Sequence, residues 1–420
     1  MSGLVVQGEV IVLVHPRRQL DDAIRSAERA GFRLVVVPRG DEVDLWRVGE
    51  PATITSVENW LGGSEEEGFV DFLVDVIERH SASGIIGVHE ASLLAVNEAA
   101  SQCGLAGLDS AVITRLRNKG ATRTTLAENG LPVPGFVTGT VDEGLLRAAR
   151  ALRLPVVVKP ANGFSSAGVQ RVDRYEDLDA ASNRAVSAML DIGFTNPDVV
   201  IEEYIGGPEY AVESISFGGH TRILAVGYKG SPEGPYFEET VYQVPSGLTE
   251  GQEHEVRRVV ERAHRALKVD NGPTHTELRL GADGVPFILE IGARIGGSGV
   301  SHTIVESATG VDFFAEAFAT SIGRRPDTFE DVAAGYTKAS GNYIVKCGGS
   351  GTIRAIRGLD KARRHPSVTS VVQMLHPGNV VRAYPDFSGY PAFILSVHAR
   401  VEELIEFHRQ LDRDIKVIYR

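Results

Sequence analysis

The chain has 420 residues and a formal net charge of −12, a length that accommodates roughly two to four domains and a balance that argues against nucleic acid as the main partner. Its 43% hydrophobic and 23% charged residues are those of an ordinary globular protein, with no apolar run long enough to span a membrane and no basic segment and apolar run marking a signal peptide. Cys103 and Cys347 supply neither a disulfide framework nor a zinc pattern, so a reducing cytoplasm is the expected compartment.

Residues 10–14 form a short apolar run. Residues 19–30 follow a helical pattern that Gly31 stops, and residues 33–37 are a second apolar run. This is the β-α-β signature of a parallel sheet. An amphipathic helix is expected over 65–80, a buried strand over 84–88 and a helix over 91–103. The first ~110 residues thus read as a doubly wound α/β domain. No GxGxxG follows the first strand, which argues against a dinucleotide. Glu90 follows the third of these strands at its carboxyl end, where open α/β sheets place ligands. It reads either as a ligand-facing carboxylate or as an N-terminal helix charge.

A helix capped by Asp109 is expected over 109–117. Asn118-Lys119-Gly120 follows, then a second helix to Asn129-Gly130, and Leu131-Pro-Val-Pro134 marks a domain boundary. Residues 145–152 are helical. Residues 155–160, PVVVKP, form a buried strand with Lys159 near its end. Residues 162–168, NGFSSAG, include Ser165 and Ser166 and precede a returning strand at 169–172. Such a turn presents backbone N–H groups that can surround phosphate, although no GK[ST] closes it as a Walker A loop. A long helix covers 175–190. Residues 199–213, VVIEEYIGGPEYAVE, are a buried strand and a bend with Glu202 and Glu209 on either side. A carboxylate there can accept the adenine amino group or the ribose hydroxyls, or simply face water on an edge strand. Strands at 210–217 and 222–229 and a helix at 250–267 lead to residues 274–297, THTELRLGADGVPFILEIGARIGG.

That last stretch is two strands joined by a Gly281-Ala-Asp-Gly284 turn. Alternation puts His275, Glu277 and Arg279 on one face, and assigns Val285, Phe287, Leu289 and Ile291 to the other. A four-residue turn would set Glu277 opposite Ile288 and His275 opposite Glu290. The two carboxylates are then diagonal neighbours, roughly 7–8 Å apart at their bases. Converging carboxylates suit Mg²⁺, with phosphate completing the shell. The bland alternative is a hairpin with a wet charged face. Helices at 302–309 and 311–322 follow. The last ~75 residues, with strands at 343–346, 371–374 and 392–397 and helices at 358–364 and 401–411, read as a small α+β appendage.

Lys119, Lys159, a small-residue loop, EEYIGGPE and a late carboxylate hairpin ending in Arg294 occur in the order that resembles the ATP-grasp superfamily, over roughly residues 1–325. The resemblance implies an α/β ATP-grasp fold. It comprises an N-terminal doubly wound domain (1–118), a central α+β lid (119–205), an antiparallel α+β catalytic subdomain (206–340) and a C-terminal α+β appendage (341–420). It implies that Lys119 and Lys159 contact ATP phosphates, that the loop with Ser165 and Ser166 covers them, and that Glu202, with the backbone of Tyr204 and Ile205, meets adenine. Glu209 would take the ribose, and Glu277 and Glu290 would bind two Mg²⁺ ions, with Mn²⁺ as a substitute. Gly292 stands where many members carry an asparagine ligand.

The E-x-x-x-R-x-G-G ending, Glu290 to Gly297, and THTE around Glu277 are similar to the L-amino-acid ligase branch. That likeness implies an ATP-dependent carboxylate–amine ligase acting through an acyl phosphate. Arg294 would be catalytic, and Glu90, Glu239, Tyr242, His275, Gly296 and Gly297 would face substrate. Tyr242 replaces a histidine of that branch, so a carboxylic acid other than an ordinary α-amino acid stays open. The implied partners are a small-molecule acid and an amine, without nucleic acid or membrane, and a homodimer stays open. Alternatives are a biotin-carboxylase-like or purine-pathway enzyme, or a non-catalytic nucleotide sensor.

Overall fold

The computed structural model describes residues 8–39, 53–163, 168–191, 195, 197–232, 237, 239–297, 300–330, 335–382 and 389–420. Strands β1 (Val10–Val14), β2 (Arg33–Val37), β3 (Ile54–Val57) and β4 (Gly84–Gly87) form a parallel sheet in the order β3-β2-β1-β4. Helix α1 (Leu20–Ala30) ends where Gly31 adopts φ 77°, the left-handed conformation that glycine tolerates without strain. Helix α2 (Phe69–Arg79) starts four residues later than the periodicity predicts, because Gly68 turns the chain at φ 88°. Helices α3 (Leu93–Gln102) and α4 (Ser110–Arg117) follow, the latter capped by Asp109 as expected. Side chains of α2 and α3 cover one face of the sheet.

Helix α5 (Lys119–Glu128) is capped by Asn118, whose Oδ1 accepts from Ala121 N–H. It leads into an antiparallel sheet of β5 (Phe136–Gly139), β6 (Val156–Pro160), β7 (Gln170–Val172) and β8 (Val199–Glu203), ordered β5-β8-β6-β7. Helices α6 (Glu143–Ala149) and α7 (Leu178–Leu190) pack on it. Strand β5 has no counterpart in the sequence reading. Its four residues are mostly half-buried, and so short an edge strand carries little alternation to read.

Eight strands make the central sheet, ordered β13-β12-β9-β10-β11-β14-β18-β16. They are β9 (Glu209–Phe217), β10 (His220–Gly230), β11 (Val241–Val244), β12 (Gly272–Leu280), β13 (Pro286–Gly292), β14 (Ala339–Ile344), β16 (Val368–Gln373) and β18 (Ala392–His398). Helix α8 (Glu250–Leu267) opens with a capping box between Thr249 and Gln252. Helices α9 (Ser301–Thr309) and α10 (Phe313–Ser321) lie between this sheet and the other face of the N-terminal sheet, where α1 also packs, in one continuous core. The C-terminal segment is therefore not set apart: β14, β18 and β16 extend the central sheet across residue 340. The remainder is a small sheet of β15 (Gly351–Arg357), β17 (Val380–Val381) and β19 (Lys416–Tyr419), with α11 (Leu359–Arg363) and α12 (Val401–Asp414).

Candidate active site

A cavity of about 200 Å³ lies between the β5–β8 sheet and the β13 end of the central sheet. Lys159 enters it from β6, Lys119 from the first turn of α5, and Glu203, Tyr204 and Ile205 from the end of β8. Glu277 and Arg279 come from β12, and Leu289 and Glu290 from β13.

The hairpin register corrects the sequence expectation. Leu280 pairs with Pro286 and Leu278 with Ile288, but Glu277 pairs with Glu290, so Leu289 is one residue too many on its strand. Such a bulge reverses which face the following residues take. Pro286, Ile288 and Ile291 are buried, whereas Phe287 and Leu289, assigned to the core face by simple alternation, are half-buried, and Leu289 lines the cavity. The two glutamates are thus direct cross-strand partners and not diagonal ones, with side-chain exposures of 26% and 30%.

Three charge clusters surround them. In the first, Lys159 Nζ donates to Glu202 Oε1 at 2.5 Å, and Arg123 Nε to Glu202 Oε2 at 2.8 Å. Burial opposes the charge on Glu202, yet Arg123 and Lys159 together hold its carboxyl at about 2. Burial pulls Lys159 down to about 8, with Glu202 offsetting part of the loss. In the second, Lys229 bridges Glu239 Oε1 at 2.9 Å, Glu209 Oε1 at 3.2 Å and Glu277 Oε1. Arg279 also donates to Glu209, at 3.1 Å. In the third, His275 Nδ1 lies 2.7 Å from Glu213 and its Nε2 3.3 Å from Glu277. Burial disfavours the imidazolium, but the Glu213 carboxylate outweighs it and, with Glu277, raises His275 to about 9. Nearby, Arg294 Nε donates to Glu90 Oε2 at 2.9 Å.

Of the residues singled out from sequence, Lys119, Lys159, Glu202, Tyr204, Ile205, Glu209, Glu239, His275, Glu277, Glu290 and Arg294 line this one cavity. Glu90 reaches it through Arg294. Both oxygens of Glu202 are held by Arg123 and Lys159, and those of Glu209 by Lys229 and Arg279. The others fall elsewhere. Tyr242 is buried and turns its hydroxyl to Glu213 at 2.9 Å, away from the cavity. Gly296 is buried where a Cβ would lie 2.1 Å from Ser301 Oγ, and neither it nor Gly297 lines the cavity. Ser165 and Ser166 lie outside the described residues. Arg123, Lys229, Arg279 and Glu213 were not foreseen. For Lys229 and Glu213 a charge inside a mostly apolar strand was the signal available; Arg279 and Arg123 stand among polar neighbours that carried none.

The donor set fits Mg²⁺. Glu277 and Glu290 offer hard oxygens from adjacent strands and stay partly open to solvent. Among the described residues no group of three or more His, Cys, Asp or Glu side chains could hold a metal by itself. The rest of a Mg²⁺ shell would come from phosphate and water.

The chain matches the ATP-grasp domain over residues 152–302 and the L-amino acid ligase C-terminal domain 2 over residues 347–420. A crystal structure of an L-amino acid ligase from Bacillus licheniformis superposes with a TM-score of 0.89 at 32% identity, covering 99% of both chains. The L-arginine-specific L-amino acid ligase of Bacillus subtilis is 22% identical over 74% of this chain and 73% of that protein. A D-alanine–D-alanine ligase of Cupriavidus necator is 33% identical over 46% of this chain. The alignment spans 58% of that ligase, and the chain likewise covers less than two thirds of several other curated relatives that it matches. With the cavity at the junction of two antiparallel sheets and a structural match along nearly its whole length, the chain belongs to the L-amino-acid ligase family of the ATP-grasp superfamily.

Proposed function

We propose that the protein is an ATP-dependent carboxylate–amine ligase that forms an amide or peptide bond and releases ADP and phosphate. The observation that carries this reading is the direct pairing of Glu277 with Glu290 on the wall of a cavity that Lys119 and Lys159 also line, in a chain of this family. Carboxylates for a divalent cation and lysines for phosphate then face one volume.

In this reading a carboxylate oxygen of the acid attacks the γ-phosphorus of ATP, and the bond to the ADP oxygen breaks. The resulting acyl phosphate is attacked at its carbonyl carbon by the amine nitrogen. The carbon–oxygen bond to phosphate then breaks, and the amine proton leaves with the phosphate or to water. Phosphoryl transfer asks for in-line positioning and charge stabilisation more than for covalent help. Mg²⁺ held by Glu277 and Glu290, as two ions or with Mn²⁺ in their place, would supply Lewis-acid charge neutralisation. Lys119 and Lys159 add point charges. Glu202, with the backbone of Tyr204 and Ile205, would meet adenine, and Glu209 would take the ribose. Arg294 keeps part of its fork for the acyl phosphate and the tetrahedral oxyanion, while Glu90 fixes its Nε end. Glu239, paired with Lys229 at 2.9 Å, would border the acid.

Phosphate release from ATP, screened over pairs of acids and amines with mass spectrometry of the product, tests the proposal. Release that needs both partners is expected, with ¹⁸O passing from labelled acid into phosphate. Release that needs bicarbonate instead would indicate carboxylase-type chemistry, and nucleotide binding without release on any pair would indicate a sensor. Replacing Glu290 by Ala is expected to lower ADP formation by roughly 100-fold or more; near-normal turnover of that variant with Mg²⁺ would sink the assignment.

A further inference from the structure

Helix α5 makes two rungs between the lid sheet and the late hairpin. Lys119 and Arg123 are four residues apart, so they share one helix face. At the first rung, Lys119 Nζ donates to the carbonyl of Gly163 at 3.0 Å and lies 3.3 Å from Glu290 Oε2. At the second, Arg123 Nε donates to Glu202 Oε2 at 2.8 Å, and its Nη2 to the carbonyl of Leu289 at 3.0 Å. Each side chain therefore has one end on the lid, at Gly163 or Glu202, and the other on β13, at Glu290 or Leu289. The helix is itself seated against the lid. Lys119 N–H donates to Ala161 O at 2.7 Å, and Gly120 approaches Thr138 so closely that a Cβ would lie 2.4 Å from its Oγ1.

Arg123 is 0% exposed and does not line the cavity. Isolated from solvent and substrate alike, a guanidinium is an expensive way to fill space, and apolar side chains of similar volume often replace such buried ions at no loss. Its partners supply the reason for a fork here. Glu202 holds the phosphate lysine, Lys159, at 2.5 Å. Leu289 is the bulge residue whose extra length turns Glu290 toward Glu277. One planar group thus touches both the anchor of a phosphate-binding lysine and the backbone kink that aims a metal-binding carboxylate. Arg supplies separate N–H donors in fixed directions, which Lys does not.

We propose that α5 is a strut that fixes the lid against the metal-binding hairpin, and that Arg123 is the positioning residue that holds Lys159 and Glu290 in mutual register. This rests on the nucleotide and Mg²⁺ reading above. A misplacement of ~1 Å in such an arrangement costs on the order of 100-fold in rate, so a residue that sets the register acts on catalysis without touching the reacting atoms.

The test uses the full chain as wild type, R123M and R123K. Calorimetry measures ADP affinity with Mg²⁺ and with EDTA, and melting curves establish that each variant is folded. In R123M the gain in ADP affinity that Mg²⁺ confers is expected to fall about tenfold, while metal-free ADP binding changes less. R123K keeps a positive charge beside Glu202 but lacks the fork that reaches Leu289. It is expected to recover metal-free binding and not the Mg²⁺ gain. In turnover, kcat should fall further than the KM for ATP rises. An Mg²⁺ gain in folded R123M equal to that of the wild type would overturn the proposal. Failure of both variants to fold would also overturn it, since Arg123 would then be structural only. A wild type that binds no ADP under either condition would remove the nucleotide reading itself, and the strut with it.

Discussion

Arg294 and Lys159 do different work at the scale of single residues, and their chemistry separates them experimentally. Arg294 spends Nε on Glu90 and one Nη1 proton on Ile295 O, leaving further donors for a developing oxyanion. Replacing it by Lys removes the fork and keeps the charge. We expect R294K to lower kcat by roughly 100-fold with MgADP affinity nearly unchanged; an equal loss in both quantities would make Arg294 a nucleotide ligand. Lys159 is buried, and its proton is held only to about 8. The charged lysine favours phosphate, so raising the pH through that value removes the cation and weakens binding. ADP affinity is therefore expected to fall above pH 8, by at most about tenfold per pH unit for one proton. The fall should be absent from K159M. Both residues were legible from their places in the chain. The state of Lys159 was not, because its partners Glu202 and Arg123 lie 43 and 36 positions away in sequence and meet it only in the fold.

The bulge at Leu289 shows how far one element can depart from its own pattern. Alternation assigned the hairpin's two faces correctly on β12 and wrongly on the first half of β13, because the turn closes Leu280 on Pro286 and not on Val285; the extra residue Leu289 then reverses the parity again and returns Glu290 and Ile291 to the faces expected of them. Without Leu289 a regular ladder would pair Glu277 with Glu290 just the same; with Leu289 kept and the strand unbulged, Leu289 would face Glu277 and Glu290 would fall on the opposite face. Just beyond β13 the chain passes Gly296, where a Cβ would lie 2.1 Å from Ser301 Oγ and 2.8 Å from Glu213 Oε1. G296A is expected to lose about 1–3 kcal/mol by overpacking, measured by urea unfolding. Trimming the hydroxyl in G296A/S301A removes the nearest clash but leaves the Cβ of residue 301, 2.7 Å away, so it should restore only part of the loss. Helix α8, with its capping box and a buried face of Val256, Val259, Val260 and Ala263, was read to the residue. There every local signal agreed with the tertiary outcome.

Over the whole molecule, buried histidines set a pH limit. His264, enclosed between Thr221 and Thr276, is pushed by burial to about 4, and His408 to about 3. His302 is also pushed to about 4: although its Nε2 lies 2.5 Å from Asp22, burial dominates, so it donates as a neutral ring. All three sit below the ordinary histidine value, so as pH falls below about 6.5 the unfolded chain takes up protons that the folded chain refuses. Stability is then lost at up to about 1.4 kcal/mol per pH unit for each histidine. The Glu202 carboxyl adds to the loss below about 4.5, because its folded value lies near 2. The urea midpoint is expected to be lower at pH 5.0 than at pH 7.5, and an equal midpoint would mean these rings are not enclosed in solution.

The sequence by itself determined the secondary elements that carry strong periodicity, the order of the motifs that line the cavity and the two glutamates that share a hairpin. These depend on neighbours a few positions apart, where spacing is set by the helical and strand repeats. Tertiary structure alone decided the bulge register, the joining of β14, β18 and β16 to the central sheet, and the partners of each buried charge. Arg123 meets Glu202 across 79 positions and Leu289 across 166, and Lys229 gathers glutamates from three segments. A charge taken out of water must find its counter-charge wherever the fold brings one, and no local repeat encodes that distance.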